Sequence, residues 1–290
     1  MAISNELKTR IKNLKREYDS LKKNKETLLN IIFESELPES VYNSNAIENS
    51  TLTIDETEKI LMEMEVSRNI SLREVFEAKN LARVFEYILK KINTKNIDQE
   101  FILLLHKMLM SNIDEKIAGR FREKNEYVRV GTYIAPAPAR IGEMIKTALL
   151  EYFSNYDIYF LEKIIRFHLE LEYIHPFIDG NGRIGRVLIN YQLMQLGFPP
   201  VIIRDKEKTD YYRSVKEYQA SKKTKFLEKV LILALSESFH KRIAYLKGMK
   251  IVKLSDQARK IKESVPGFLN KAKRQTIPAF REKGIWKIGI

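Results

Sequence analysis

His175-Pro176-Phe177-Ile178-Asp179-Gly180-Asn181-Gly182-Arg183-Ile184-Gly185-Arg186 sets one imidazole, one carboxylate, one side-chain amide, three glycines and two guanidiniums into twelve positions between apolar runs. Gly180 and Gly182 let successive backbone N–H groups converge on an anion. The helical run from Arg183 (Ile184, Val187, Leu188, Tyr191, Met194) points its positive end at the same spot. The stretch therefore reads as a phosphate cradle. Arg183 and Arg186, three apart, share a helical face and can fork onto further phosphate oxygens. Asp179 is a hard oxygen ligand suited to a magnesium ion carried by those phosphates. His175, titrating near neutrality, suits proton removal from an attacking hydroxyl.

Two other readings of the same residues fail. Gly180, Gly182 and Gly185 spell G-x-G-x-x-G, but a dinucleotide fingerprint follows a strand, and Phe160 to Tyr173 carries a helical pattern. Asp179 and Asn181 open like a calcium loop, but the fifth position is Arg183 and the twelfth is Asn190 rather than a glutamate. A plain helix cap needs glycine to turn the chain; it does not need a His, an Asp and two Arg converging.

The segment resembles the Fic-family signature H-P-F-x-[D/E]-G-N-G-R-x-x-R, with every specified position matched. The resemblance implies transfer of AMP from ATP to a Ser, Thr or Tyr hydroxyl of a target protein. It implies His175 as base, Asp179 as Mg²⁺ ligand, phosphate contacts from Gly180, Asn181 and Gly182, and a triphosphate anchored by Arg183 and Arg186. The cradle physics alone does not choose AMP transfer over another phosphate chemistry.

The chain has 290 residues, 44% of them hydrophobic, enough for one large domain and a small one. It has no cysteine, which excludes a disulfide scaffold and a thiolate metal site. The N-terminus lacks the apolar core of a signal peptide and no run approaches a bilayer span, so cytoplasmic residence without a membrane is expected. A formal charge of +13 favours contact with polyanions without deciding which.

In chain order, residues 1 to 33 read as one long helix with a stripe of Leu7, Ile11, Leu14, Tyr18, Leu21 and Leu28. Docking on the chain's own core is favoured over a self-associating coiled coil, and a homodimer stays open. Pro38 is expected to break that helix, with a short one from Glu39 to Ser50. Inside it, Ser44 and Glu48 sit four apart, followed by Asn49. This resembles the inhibitory motif [S/T]-x-x-x-E-[G/N] of Fic proteins that carry their brake N-terminal to the catalytic core. The resemblance implies that Glu48 pairs with Arg186 and fills the γ-phosphate position. Thr53-x-x-Glu56 and Ser71-x-x-Glu74 are capping boxes, each opening an amphipathic helix. A further helix spans about Asp98 to Met110, where His106 reads as packing; His168 and His240 read the same way.

Tyr127 to Ile134 alternates like a short hairpin, closed off by Pro136 and Pro138. In the Fic family such a hairpin is a flap that holds the target by strand addition, which implies roles for Val130, Gly131, Thr132 and Tyr133. Helices follow at 141 to 155, 158 to 173, from the signature to about Leu196, and from roughly Phe226 to Leu246. Between the last two, Tyr211-Tyr212-Arg213-Ser214 opens another. By resemblance Tyr211 and Tyr212 border the adenine, although Gln219 stands where the family often has Asn. Residues 251 to 290 hold ten basic side chains against three acidic ones. There the pattern of helix, turn from Val265 to Gly267, helix from Phe268 to Arg274 and hairpin resembles a winged helix-turn-helix, a candidate DNA contact through Lys271, Lys273 and Arg274.

The expected fold is therefore all-α: a Fic-type helical bundle over residues 1 to 247 with a hairpin flap. Its inhibitory helix lies near 39 to 50 and its catalytic core near 98 to 220. A small winged-helix-like module over 251 to 290 follows and looks detachable. The expected function is Mg²⁺- and ATP-dependent protein adenylylation restrained by Glu48. A DNA-binding regulator with a nucleotide-sensing site, or AMP removal by the same site, are the alternatives.

Overall fold

The computed structural model describes residues 3–66, 69–131, 133–154 and 156–290. Its elements are α1 (Asn5–Lys22), α2 (Glu26–Ile47), α3 (Ile54–Met62), α4 (Leu72–Lys91), α5 (Gln99–Met110), β1 (Arg129–Val130), β2 (Tyr133–Ile134), α6 (Ile141–Ser154), α7 (Phe160–Ile174), α8 (Asn181–Gln195), α9 (Lys208–Ser221), α10 (Lys225–Leu246), β3 (Ile251–Lys253), α11 (Leu254–Lys260), α12 (Val265–Lys273), β4 (Ala279–Glu282) and β5 (Ile285–Gly289). Among the described residues no helix is long and apolar enough to cross a membrane.

The helices pack around two apolar clusters that meet at α7 and α8. On α8, Ile184, Val187, Leu188 and Tyr191 enter the cluster shared with α4, α5 and α6, while Ile189 and Leu193 enter the one shared with α1, α9 and α10. On α7, Phe167, Leu171 and Ile174 face the first, and Leu161, Ile164 and Leu169 the second. Full burial of such a side chain is worth about 1.5–3 kcal/mol. The loop joining α7 to α8 is thus clamped from both sides.

Four expectations change. The single helix over 1 to 33 is two, because Asn24 takes a left-handed backbone (φ 61°) between α1 and α2; α1 then lies along α10, with Ile11 and Tyr18 buried. Pro38 does not break the chain but sits inside α2. A mid-helix proline costs about 3 kcal/mol, and here burial of Phe33, Leu37, Val41 and Ile47 on the same helix offsets it. Thr53 and Glu56 form the full capping box, whereas Ser71 caps α4 alone. Glu74 accepts from the Ser71 hydroxyl at 3.2 Å rather than from its N–H, and from the Thr51 N–H at 2.7 Å, tying the segment after α2 to α4. Finally, Val265, Pro266 and Gly267 are the first turn of α12 rather than a turn before it; Ser264 caps them and proline suits that position.

The hairpin is reduced to two residue pairs, Arg129 opposite Ile134 and Val130 opposite Tyr133. At the C-terminus β3 joins β4 and β5 in a three-stranded antiparallel sheet of order β3-β5-β4. This module is seated rather than loose. Arg281 pairs with Glu237 of α10 at 2.7 Å, Lys241 with Glu282 at 3.2 Å, and Lys283 in the β4–β5 turn with Glu58 of α3 at 2.5 Å; the Gly284 N–H donates to Glu39 of α2 at 3.1 Å.

Candidate active site

α7 stops because His175 adopts a left-handed backbone (φ 48°, ψ 61°), its N–H still bonded to the Leu171 carbonyl, and Pro176 cannot continue the helix. Arg122, buried, holds this corner by donating to the carbonyls of His175 (2.8 Å), Pro136 (2.9 Å) and Glu126 (2.8 Å). It ties the segment around the hairpin to the base. The Asn181 side chain turns inward, accepting from the Phe177 N–H at 2.9 Å and donating to the Phe177 carbonyl at 2.8 Å. It therefore braces the loop, leaving only its backbone for an anion. Gly180 is left-handed (φ 83°), and a Cβ there would press on Leu109. His106 stacks on Phe177 at 3.7 Å, accepts from the Gly119 N–H and donates to the Asp179 carbonyl, both at 3.0 Å. So His106 does more than pack: it fixes the loop, uncharged, its pKa lowered by burial to about 4.

Over the first turn of α8, whose N–H groups have no intrahelical acceptors, lies the Glu48 carboxylate. Its Oε1 accepts from Arg186 Nη2 at 2.9 Å, and a Cβ on Gly182 would collide with it. Arg186 also donates to the Ser44 hydroxyl (3.0 Å) and carbonyl (2.8 Å). Ser44 and Glu48 thus both reach Arg186. Asn49 ends the turn with a left-handed backbone (φ 70°) and accepts from Lys208 at 2.9 Å. Burial disfavours the Arg186 charge, but Tyr211 and Glu48 more than restore it, and its pKa is raised.

Arg183 points elsewhere, to Asp179 at 2.9 Å and Glu77 at 3.3 Å, so the two guanidiniums do not converge here. Asp179 Oδ1 accepts from Gly180 N–H and Arg183, and Oδ2 from Arg73 at 2.5 Å. Burial alone would raise its pKa, yet Arg183, the Gly180 N–H and Arg73 bring it below the ordinary value. Arg73 is 56% exposed and can swing into water, freeing Oδ2 for a dication. Among the described residues no three His, Cys, Asp or Glu cluster to hold a metal. A single freed carboxylate fits an ion that takes most of its ligands from phosphates.

The His175 ring is largely buried, and burial lowers its pKa to about 4, so it is neutral at pH 7 and able to accept a proton. Tyr211 is fully buried, its hydroxyl bonded to Glu172, Arg186 and His168; Tyr212 is half exposed and donates to the Ile47 carbonyl at 2.7 Å. Tyr211 therefore belongs to the polar network under Arg186, and of the pair only Tyr212 presents a free face. On the hairpin, Tyr133 stacks on Tyr173 at 5.3 Å and Val130 is half-buried, while Gly131 is exposed (φ 61°); Thr132 lies outside the described residues.

Sequence reasoning missed Glu172, Arg122, Arg73 and Glu77. Glu172 left a signal: with His168 it forms H-x-x-x-E among the apolar residues of the buried face of α7. Arg122 left none, since its partners are backbone carbonyls. Gly185, part of the discarded fingerprint, has a different use: a Cβ there would strike the His168 ring, so the glycine permits close approach of α8 to α7.

A family model described as the Fic/DOC family matches residues 96–193. The protein adenylyltransferase Fic of Nematostella vectensis is 32% identical over 179 residues, 59% of this chain and 41% of that protein. The protein adenylyltransferase fic-1 of Caenorhabditis elegans is 31% identical over 180 residues, 60% of this chain and 35% of that one. The chain thus spans less than half the length of these curated relatives. A Fic domain containing signaling protein from Bacteroides thetaiotaomicron superposes with TM-score 0.73 at 25% identity, over 88% of this chain and 98% of its own. A Fic family protein from Desulfovibrio desulfuricans, 20% identical, shares the fold over 100% of this chain and 97% of its own, with TM-score 0.67. Residues 96–193, which fold the complete signature at the head of α8, are thus the part of the chain that is similar to the Fic/DOC family.

Proposed function

We propose that this chain is a Mg²⁺- and ATP-dependent protein adenylyltransferase that moves AMP onto a Ser, Thr or Tyr hydroxyl of a target protein and is restrained by Glu48. The observation that carries this reading is an anion already seated at the head of α8: the Glu48 carboxylate against Gly182 and Arg186. The triphosphate would take that place, because the same donors suit either group. While Glu48 stays, ATP lies with its α-phosphate out of line with the acceptor. Once it leaves, Arg186 and the first turn of α8 hold the phosphates and His175 takes the acceptor proton. Asp179, released from Arg73, would hold Mg²⁺, which neutralises charge on the phosphates. A target segment pairing with the hairpin brings its hydroxyl to His175 through backbone hydrogen bonds. Alignment and preorganised donors carry most of the acceleration, and the base contributes about 10²–10⁴-fold.

Incubation with radiolabelled ATP and magnesium tests the assignment. Glu48→Gly is expected to raise AMP incorporation and His175→Ala, in that background, to abolish it. Label that survives loss of His175 refutes the base.

A second reading, DNA contact by residues 251–290, draws on Lys260, Lys262, Lys273 and Arg274, which are exposed and in no ion pair shown by the structure. Against it, Arg281, Lys283 and Lys287 are spent in ion pairs, and the wing tip is seated on α2 and α3. A salt-dependent gel shift lost in Lys273→Ala/Arg274→Ala protein would support it.

A further inference from the structure

We infer that Glu172 is the positioning residue for His175: a buried carboxylate on the last turn of α7 that accepts from the ring's Nδ1–H and balances the imidazolium formed during AMP transfer. The inference rests on the reading of His175 as base. Glu172 Oε2 lies 3.9 Å from His175 Nδ1, and that nitrogen is buried without a hydrogen bond of good geometry, the Glu172 main-chain carbonyl being the other group that favours a proton on the ring. A movement of about 1 Å closes the gap to bonding distance, and such bonds are commonly long before substrate arrives.

The other carboxylate oxygen is fixed. Tyr211 donates to Oε1 at 3.0 Å and in turn accepts from Arg186 at 3.3 Å, with His168 Nε2 also 3.0 Å from its hydroxyl. The carboxylate is therefore anchored on one side and free on the side facing the base. The charged and titratable groups that face it are His168 on α7 and His175 at its C-cap, Arg186 on α8, Tyr211 and Tyr212 on α9, and Glu48 at the C-cap of α2, with Arg122 beyond His175. Burial first, then the Glu48 charge, raises the Glu172 pKa to about 7, against the pull of Arg186. Glu48 thus acts twice, filling the anion position and favouring the protonated form of the base's partner.

The proton balance is closed. His175 starts neutral with its proton on Nδ1, and Nε2 takes the acceptor hydroxyl's proton. The acceptor oxygen bonds to the α-phosphorus as the bond to pyrophosphate breaks. The ionised Glu172 offsets the imidazolium through Nδ1–H, and the Nε2 proton passes to water after product leaves. Glu172 works in its ionised form, so activity rises with pH through its titration.

The chain has four histidines, which makes ring NMR of the whole protein tractable. Titrating wild-type and Glu172→Gln proteins, we expect the His175 ring signals to report a step near neutral pH that disappears in Glu172→Gln, with His106 and His240 unmoved. In the Glu48→Gly background, Glu172→Gln should lower kcat for AMP transfer at least about tenfold, leave KM for ATP within about twofold, and remove the rise in rate with pH, which moves to lower pH once the Glu48 charge is gone. Glu172→Asp, which keeps the carboxylate, should keep the NMR step at a shifted midpoint and serves if Glu172→Gln does not fold. An unchanged His175 titration in Glu172→Gln, or a raised KM with kcat intact, overturns the inference. The NMR arm holds even if no AMP is transferred, so failure of the pair and failure of the enzymatic reading are told apart.

Discussion

Glu39 and Glu48 belong to the same stretch of chain, the second half of α2 and its C-cap, and each faces a buried guanidinium, Arg204 in one case and Arg186 in the other. Glu39, Arg204 and Glu237 have side chains 5–8% exposed: Arg204 bridges the two carboxylates, Arg281 adds to Glu237 at 2.7 Å, and one turn earlier the buried Glu36 pairs with Arg242 at 2.6 Å and Lys241 at 3.1 Å. The Glu48 side chain is 34% exposed and holds Arg186 alone. One pair is surrounded by protein and interlocked with α10 and the C-terminal sheet; the other opens to water at the head of α8. Like contacts therefore differ in what breaking them does. At Glu39 an orphaned charge stays buried, while at Glu48 water or another anion replaces the carboxylate.

The largest expected effect follows from that contrast. Glu39→Ala should lose about 3–5 kcal/mol of stability in urea titration, and Glu48→Ala no more than about 1–2 kcal/mol, since Arg186 keeps Ser44 and Tyr211. Equal losses would break the comparison. Next, AMP incorporation separates them in the other direction: Glu48→Gly is expected to raise it at least about tenfold, which is about 1.4 kcal/mol, while Glu39→Gln leaves transfer per folded molecule unchanged.

Acid sharpens it further. Burial pushes the Glu36 pKa up, but Arg242 and Lys241 bring it below 4.5. A lowered folded value means its stabilisation is fully present above the unfolded pKa of about 4.5 and is lost as pH falls through the folded one. Glu36→Gln should flatten the fall of melting temperature below that pH, at the cost of lower stability at neutral pH. Smallest is Lys283, whose pair with Glu58 is 54% and 34% exposed. Lys283→Ala should change stability by about 0.2–1 kcal/mol, less at high salt.

Much of this was legible in the chain, and the reason is spacing. The signature from His175 to Arg186 specifies its own turn, glycines and helix start, so its chemistry is local and readable. Spacing put Ser44 and Glu48 on one helical face, while Asn49 and the pairing with Arg186 came from the motif the segment resembles. What was not readable is long-range. Arg183 lies three residues from Arg186 yet turns to Glu77 on α4, and Arg73 covers Asp179 from the same helix. Pro38 looked like a stop because local rules penalise it, and burial along α2 overrides them. The hairpin looked longer because alternation fixes which residues face alike, not how many pairs form. The basic C-terminus looked detachable because composition counts charges without their partners; Glu237, Glu58 and Glu39 lie far back in the sequence.

The claim beneath all of this is that the Glu48 carboxylate stands where the triphosphate belongs. The direct measurement is a crystal structure of Glu48→Gly protein with ATP and magnesium. We expect a phosphate oxygen within hydrogen-bonding distance of Arg186 in the space Glu48 left, and the His175 ring facing the α-phosphate. A triphosphate bound elsewhere, with Arg186 still turned to Ser44 and an empty head of α8, would contradict the account.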